Sequence, residues 1–194
     1  TLPCVDIFLP SIEEILFMLH RKIYDRLWQK AGGPNFLSLI APGQLSDLSQ
    51  ELLDMGAKVV CLTLGDRGLY LRTGDNPAIE RLGRAQTSNP IAWANKELWT
   101  PCFKVNVVGT TGSGDATIAG FLSALLRGLS PEEAVTIAAA VGACNVEAAD
   151  SLSGLLSWEE TLRRVKSGWA RHDLALDASG WEFDERHHLW VASG

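Results

Sequence analysis

The chain alternates short apolar runs with longer stretches in which apolar residues recur every three or four positions. Residues 59–64 (Val-Val-Cys-Leu-Thr-Leu) form the clearest run, of strand length and of the kind found in sheets buried on both faces. Residues 4–9 read as a shorter buried strand ended by Pro10, and residues 69–72 as a strand returning from the tight turn Gly65-Asp66-Arg67-Gly68. Residues 103–108 read as another strand. Helical spacing begins at Ser11, where Ile15, Leu16, Leu19 and Ile23 share a face and Glu14 stands at capping-box distance. Residues 45–55 predict a second helix closed by Gly56, and residues 116–127 a third closed by Gly128. Ser130-Pro131-Glu132-Glu133 opens a helix over 134–149, whose Ala and Gly content implies close packing against a neighbour. Ser157-Trp158-Glu159-Glu160 opens the last, running to about Gly168. Residues 32–42 and 74–96 read as loops, the latter holding Asn76-Pro77 and Asn89-Pro90. Strands alternating with helices make an α/β domain.

Composition narrows the function classes. At 194 residues, 46% hydrophobic and 21% charged, the chain is large enough for one sizeable core. A formal net charge of −6 argues against a nucleic-acid surface, which needs clustered Lys and Arg. No apolar stretch reaches the roughly 18 residues of a membrane span. Cys4, Cys61, Cys102 and Cys144 lie far apart, as suits free thiols in a reducing, cytoplasmic setting. Residues 1–168 read as the catalytic part and residues 169–194 as a tail with three of the seven tryptophans. The tail's His172, His187 and His188 lack metal-ligand spacing, and His187-His188 among Asp184, Glu185 and Arg186 reads as solvated.

The chemistry concentrates at Gly109-Thr110-Thr111-Gly112-Ser113-Gly114-Asp115, between an apolar run and a small-and-apolar helix. Amides at such a helix start lack intrahelical partners, and the macrodipole favours anions there. A carboxylate at the same place calls for another role, most economically that of taking a proton from a nucleophile. A P-loop would need Lys after Gly114, where Asp115 stands. A dinucleotide fingerprint would need a third glycine where Thr117 stands.

The segment 108–127, with Gly112, Gly114, Asp115 and Ala119-Gly120-Phe121, resembles the second signature of the ribokinase-like, or PfkB, carbohydrate kinases. Thr63-Leu64-Gly65-Asp66-Arg67-Gly68 is similar to that family's Thr-Leu-Gly-x-x-Gly turn, and Pro10-Ser11-Ile12-Glu13-Glu14 to its Pro-Asn-x-x-Glu element. The resemblance implies a three-layer α/β/α sandwich and ATP-dependent phosphorylation of a sugar or nucleoside-like hydroxyl. It implies Asp115 as base and the amides of Gly112, Ser113 and Gly114 as an anion hole. It further implies nucleotide contacts from Thr63, Gly65, Asp66, Arg67, Gly68, Thr111 and Asn145, and Mg2+ organised through Glu14. Gly109 replaces the signature's first aspartate, which puts dependence on a monovalent cation in doubt.

The resemblance also implies that the family's N-terminal half, with its lid, is absent from this sequence. Little activity is then expected of these residues alone, and an exposed sheet edge would let two copies pair. A regulatory nucleotide-binding protein and an NAD-dependent oxidoreductase are the alternative functions.

Overall fold

The computed structural model describes residues 2–176 and 179–193. In chain order the elements are β1 (Ile7–Phe8), α1 (Ile12–Leu19), α2 (Arg21–Ala31), α3 (Pro42–Asp54), β2 (Val59–Thr63), β3 (Leu69–Thr73) and α4 (Asn76–Glu80). There follow α5 (Pro90–Trp93), β4 (Glu97–Thr100), α6 (Ser113–Leu126), α7 (Pro131–Asn145), α8 (Trp158–Lys166), β5 (Trp181–Asp184) and β6 (Leu189–Ala192). The sheet order is β1-β2-β3-β4-β6-β5, with β1 parallel to β2 and the other pairs antiparallel.

The period-2 pattern of the central strands sorts side chains into two cores. Val59, Cys61, Leu69, Leu71 and Leu98 face one core, closed by residues of α6 and α7 such as Phe121 and Val135. Val60, Leu62, Tyr70 and Trp99 face the other, closed by Ile12 and Ile15 of α1 and by Leu45, Leu48 and Leu52 of α3. Helices cover both faces, which gives the α/β/α layering and explains why β2 is buried along most of its length.

Capping decides where the helices start. Ser11, Ser130 and Ser157 each accept from the third helical residue, whose glutamate reaches back to the serine N–H. The face expected to continue from Ser11 through Ile23 is interrupted at His20, whose φ of −128° and ψ of 50° lie outside the helical region. The residue 74–96 stretch holds α4 and α5, started by the side chains of Asp75 and Asn89 and by Pro77 and Pro90. The close packing expected for α7 is observed against α6. A Cβ on Gly120 would stand 3.0 Å from the Val141 side chain, and one on Gly142 2.2 Å from Thr117 Oγ1.

Two further expectations change. The run 103–108 is not a strand of the sheet; only Phe103 makes a bridge, with Arg171. The strand in this part of the chain is β4, which ends at Thr100 and whose Leu98 and Trp99 supply the alternating pair that reaches both cores. The residues after Trp169, where described, join the sheet: β6 pairs with β4 at Leu98–Val191 and Trp99–Trp190, and β5 lies outside it. Asp177, Ala178 and Gly194 of that segment lie outside the described residues. Among the described residues no helix is long and apolar enough to cross a membrane.

Candidate active site

The site begins at the carboxyl ends of the two parallel strands, the usual place for ligands in such sheets. Thr63 donates its N–H to Pro10 O at 3.1 Å and bridges Ser11, which places the Ser11–Glu14 turn beside the end of β2. Glu14 is exposed, with one carboxylate oxygen accepting from the Ser11 N–H at 3.0 Å. The next turn depends on Gly68. Its φ is +92°, and a Cβ there would fall 2.0 Å from Thr100 O, so no other residue fits.

The glycine loop arrives from the other side. Val108 and Gly109 donate to Val146 O at 2.8 and 3.2 Å, which seats the loop on the segment following α7. Asn145 is fully buried and donates to Ser151 O at 2.7 Å, fixing that segment where Ser151 packs on Gly112. Gly112 is the N-cap of α6, at φ +77°, and has no side chain to cap the helix. The Ser113 N–H turns back to Thr110 O at 3.2 Å, and the first helical bond is Ala116 N–H to Gly112 O at 2.8 Å. Among the described residues, the N–H groups of Gly112, Gly114 and Asp115 have no protein acceptor, and the exposed Asp115 carboxylate has no hydrogen-bonding partner.

A cavity of about 270 Å3 joins the two turns. Thr63, Gly65, Asp66 and Gly68 line one side and Ser113 and Gly114 another. Asp115 directly follows these last two on the first turn of α6. The other predicted residues lie outside the lining. Thr111 is exposed in the preceding turn, Glu14 is in its capping box, and Asn145 serves the 146–154 segment. The Arg67 guanidinium donates to Leu37 O at 2.6 Å and Ile40 O at 2.8 Å and stacks over Trp99. Burial lowers its pKa, a shift that the Asp66 charge opposes. Arg67 thus ties its turn to the helical layer.

The lining also holds residues the sequence reading passed over. Phe103 and Val105 come from the run expected to be a strand, Ala139 and Ala143 from α7, and Val146 from its C-cap. These make the inner wall apolar. Cys102 is part of that wall, and burial raises its thiol pKa; the Phe103 N–H opposes the shift and the Asp66 charge adds to it. Thr110, Thr117 and His172 are the polar additions. The signal for the wall was the apolar spacing of Phe103, Val105 and Val107, which serves a cavity as well as it serves a sheet.

The pfkB family carbohydrate kinase profile matches residues 1–157, spanning both turns and the glycine loop. The chain belongs to the pfkB carbohydrate kinase family. It is 29% identical over 132 residues to a 2-dehydro-3-deoxygluconokinase of Bacillus subtilis, covering 64% of this chain and 35% of that protein. It is 36% identical over 73 residues to a nucleoside kinase of Methanocaldococcus jannaschii, covering 37% of this chain and 24% of that one. Among solved structures, the ribokinase of Thermotoga maritima superposes with a TM-score of 0.56 at 24% identity, over 85% of this chain and 43% of that chain. The Arabidopsis thaliana ribokinase complexed with ribose and ATP gives 0.58 at 23%, over 85% and 42%. These two likenesses establish the shared fold. The chain spans less than half the length of each of these relatives.

Proposed function

We propose that this chain carries the nucleotide-binding and phosphoryl-transferring part of a kinase acting on the hydroxyl of a sugar or sugar-like molecule, with ATP as donor. One observation carries the reading: α6 starts without a side-chain cap, so its open amides and an unpartnered carboxylate stand together beside the cavity. The apolar wall suits a nucleotide base, and the amides of Gly112 and Gly114 suit its phosphates. Asp115 accepts the proton of the attacking hydroxyl while those amides hold the charge on the moving phosphoryl group. Phosphoryl transfer asks chiefly for such positioning and neutralisation.

A magnesium ion would be a partner shared with the phosphates, since it commonly keeps one or two carboxylates beside phosphate and water ligands. Glu14 is the carboxylate that would serve it, and the ion would neutralise phosphate charge. Cys4, Cys61, Cys102 and Cys144 are all free thiols, in keeping with a reducing, cytoplasmic compartment.

Asp115→Asn tests the assignment. In a chain extended to the length of its relatives, turnover over a panel of hydroxyl acceptors is expected to fall about 100- to 10,000-fold, the range for a positioned base. ATP affinity by calorimetry should stay within about twofold, since the amides are untouched. A variant with undiminished turnover, or a native chain that binds no ATP, would sink the proposal. ATP binding with no turnover in a chain extended to the length of its relatives would favour the regulatory reading.

A further inference from the structure

The family match ends at residue 157, yet a segment beyond it reaches the nucleotide cavity. Residues 169–172 are clamped along the cavity wall. Lys104 donates its N–H to Ala170 O and His172 donates its N–H to Cys102 O, both at 2.8 Å, around the Phe103–Arg171 bridge. Trp169 stacks on Phe103 with ring centroids 4.4 Å apart and donates its indole N–H to Lys104 O at 2.9 Å. Arg171 also sits over the Phe103 ring, 4.6 Å from its centroid, and donates to Thr100 Oγ1 and His188 O, both at 2.9 Å. With its backbone held in this way, His172 leaves its ring exposed. It lines the cavity of about 270 Å3 and also two adjoining grooves, one of them shared with Asp66.

The cavity's polar groups divide by position. The glycine-loop amides suit phosphate, and Leu69, Phe103, Val105, Ala139 and Ala143 make an apolar slot. A heterocyclic base in an apolar slot is fixed by a small number of polar groups at its edge. An imidazole can both donate and accept hydrogen bonds, and it stacks on a flat ring.

We propose that His172, from the segment beyond the family-matched region, contacts the base of the bound nucleotide and so helps set nucleotide affinity. The inference rests on the nucleotide reading of the cavity. It differs from that reading in assigning part of the site to the carboxyl-terminal segment.

Two probes separate the base from the phosphates: ATP, and inorganic tripolyphosphate, which has no base. In the 194-residue chain, His172→Ala should weaken ATP binding about five- to tenfold, the size of one hydrogen bond. Tripolyphosphate binding should stay unchanged, and His172→Gln should recover part of the loss for ATP. Unaltered ATP affinity in His172→Ala would overturn the proposal while leaving the nucleotide site intact. A parallel loss of tripolyphosphate would overturn it too, because the residue would then only be holding the wall in shape. A native chain that bound neither probe would overturn the function proposed above, and this inference with it.

Discussion

Helices α6 and α7 lie against each other, share small-residue contacts at Gly120 and Gly142, and start in opposite ways. At α7, Ser130 Oγ accepts from the Glu133 N–H at 3.2 Å and Glu133 Oε2 accepts from the Ser130 N–H at 3.1 Å. Pro131 then removes a donor from the first turn. At α6 the N-cap is Gly112, and the acid at the third position, Asp115, bonds to nothing among the described residues. Asp115 holds the helix position that Glu14, Glu133 and Glu160 hold in the three capping boxes. A side-chain cap is worth about 1 kcal/mol. Helix α6 lacks that stabilisation, and its first turn stays open to a ligand. An acid at the third position closes a helix when serine precedes it by three residues, and is left available when glycine does.

Gly112→Ala strikes the contrast hardest. A Cβ at φ +77° is strained, and it would stand 2.8 Å from the Ser151 side chain. Stability should fall by about 1–3 kcal/mol in denaturant unfolding, with ATP affinity down at least about tenfold. An unchanged ATP affinity would show that the loop's path is irrelevant to the ligand. Gly114→Ala separates fold from function more finely. A Cβ there meets nothing within 4 Å and the position is helical, so the variant should be up to about 1 kcal/mol more stable. If phosphate approaches that backbone, ATP should nevertheless bind several-fold more weakly. A more stable variant with full affinity would count against the anion hole. Ser130→Ala is the mirror experiment on α7: about 1 kcal/mol of stability lost, with ATP affinity untouched.

The residues that were easiest to read were those whose local rule and tertiary role agree. The buried run of β2, the serine caps of α1, α7 and α8, and the glycine-rich start of α6 all belong to this class. The reading failed where one pattern serves two purposes. Phe103 and Val105 alternate as a strand would, but they wall a cavity, and among the described residues the run's one bridge is Phe103 to Arg171. The β5–β6 hairpin lacks the usual glycine or asparagine turn. Asp184 organises it instead, accepting from the Arg186 N–H at 2.8 Å and pairing with His187 Nδ1 at 2.6 Å, while His188 adopts a φ of +52°. Arg67 could be placed in its turn from sequence, yet nothing there shows that Leu37 O and Ile40 O would claim its guanidinium.

The far end of α7 gives the mildest test. Just beyond it, Glu147 is paired with Arg164 of α8, with Arg164 Nη2 donating to Glu147 Oε1 at 2.7 Å. That hydrogen bond, with the arginine's charge, outweighs the partial burial that acts against it and holds the glutamate pKa below its ordinary value of about 4.5. A depressed acid pKa contributes stability that is present above the unfolded value. It is lost as pH falls through the folded one, because the unfolded chain binds the proton first. Glu147→Gln should therefore destabilise the protein at neutral pH by no more than about 1 kcal/mol, as befits a partly exposed pair. The difference should vanish below the folded pKa. Denaturant unfolding of both proteins across the acid range reads this directly, and curves that stayed parallel there would remove the pair from the account. ATP affinity at neutral pH should match the native value, because the glycine loop is seated by Val146 and Ser151 rather than by this carboxylate.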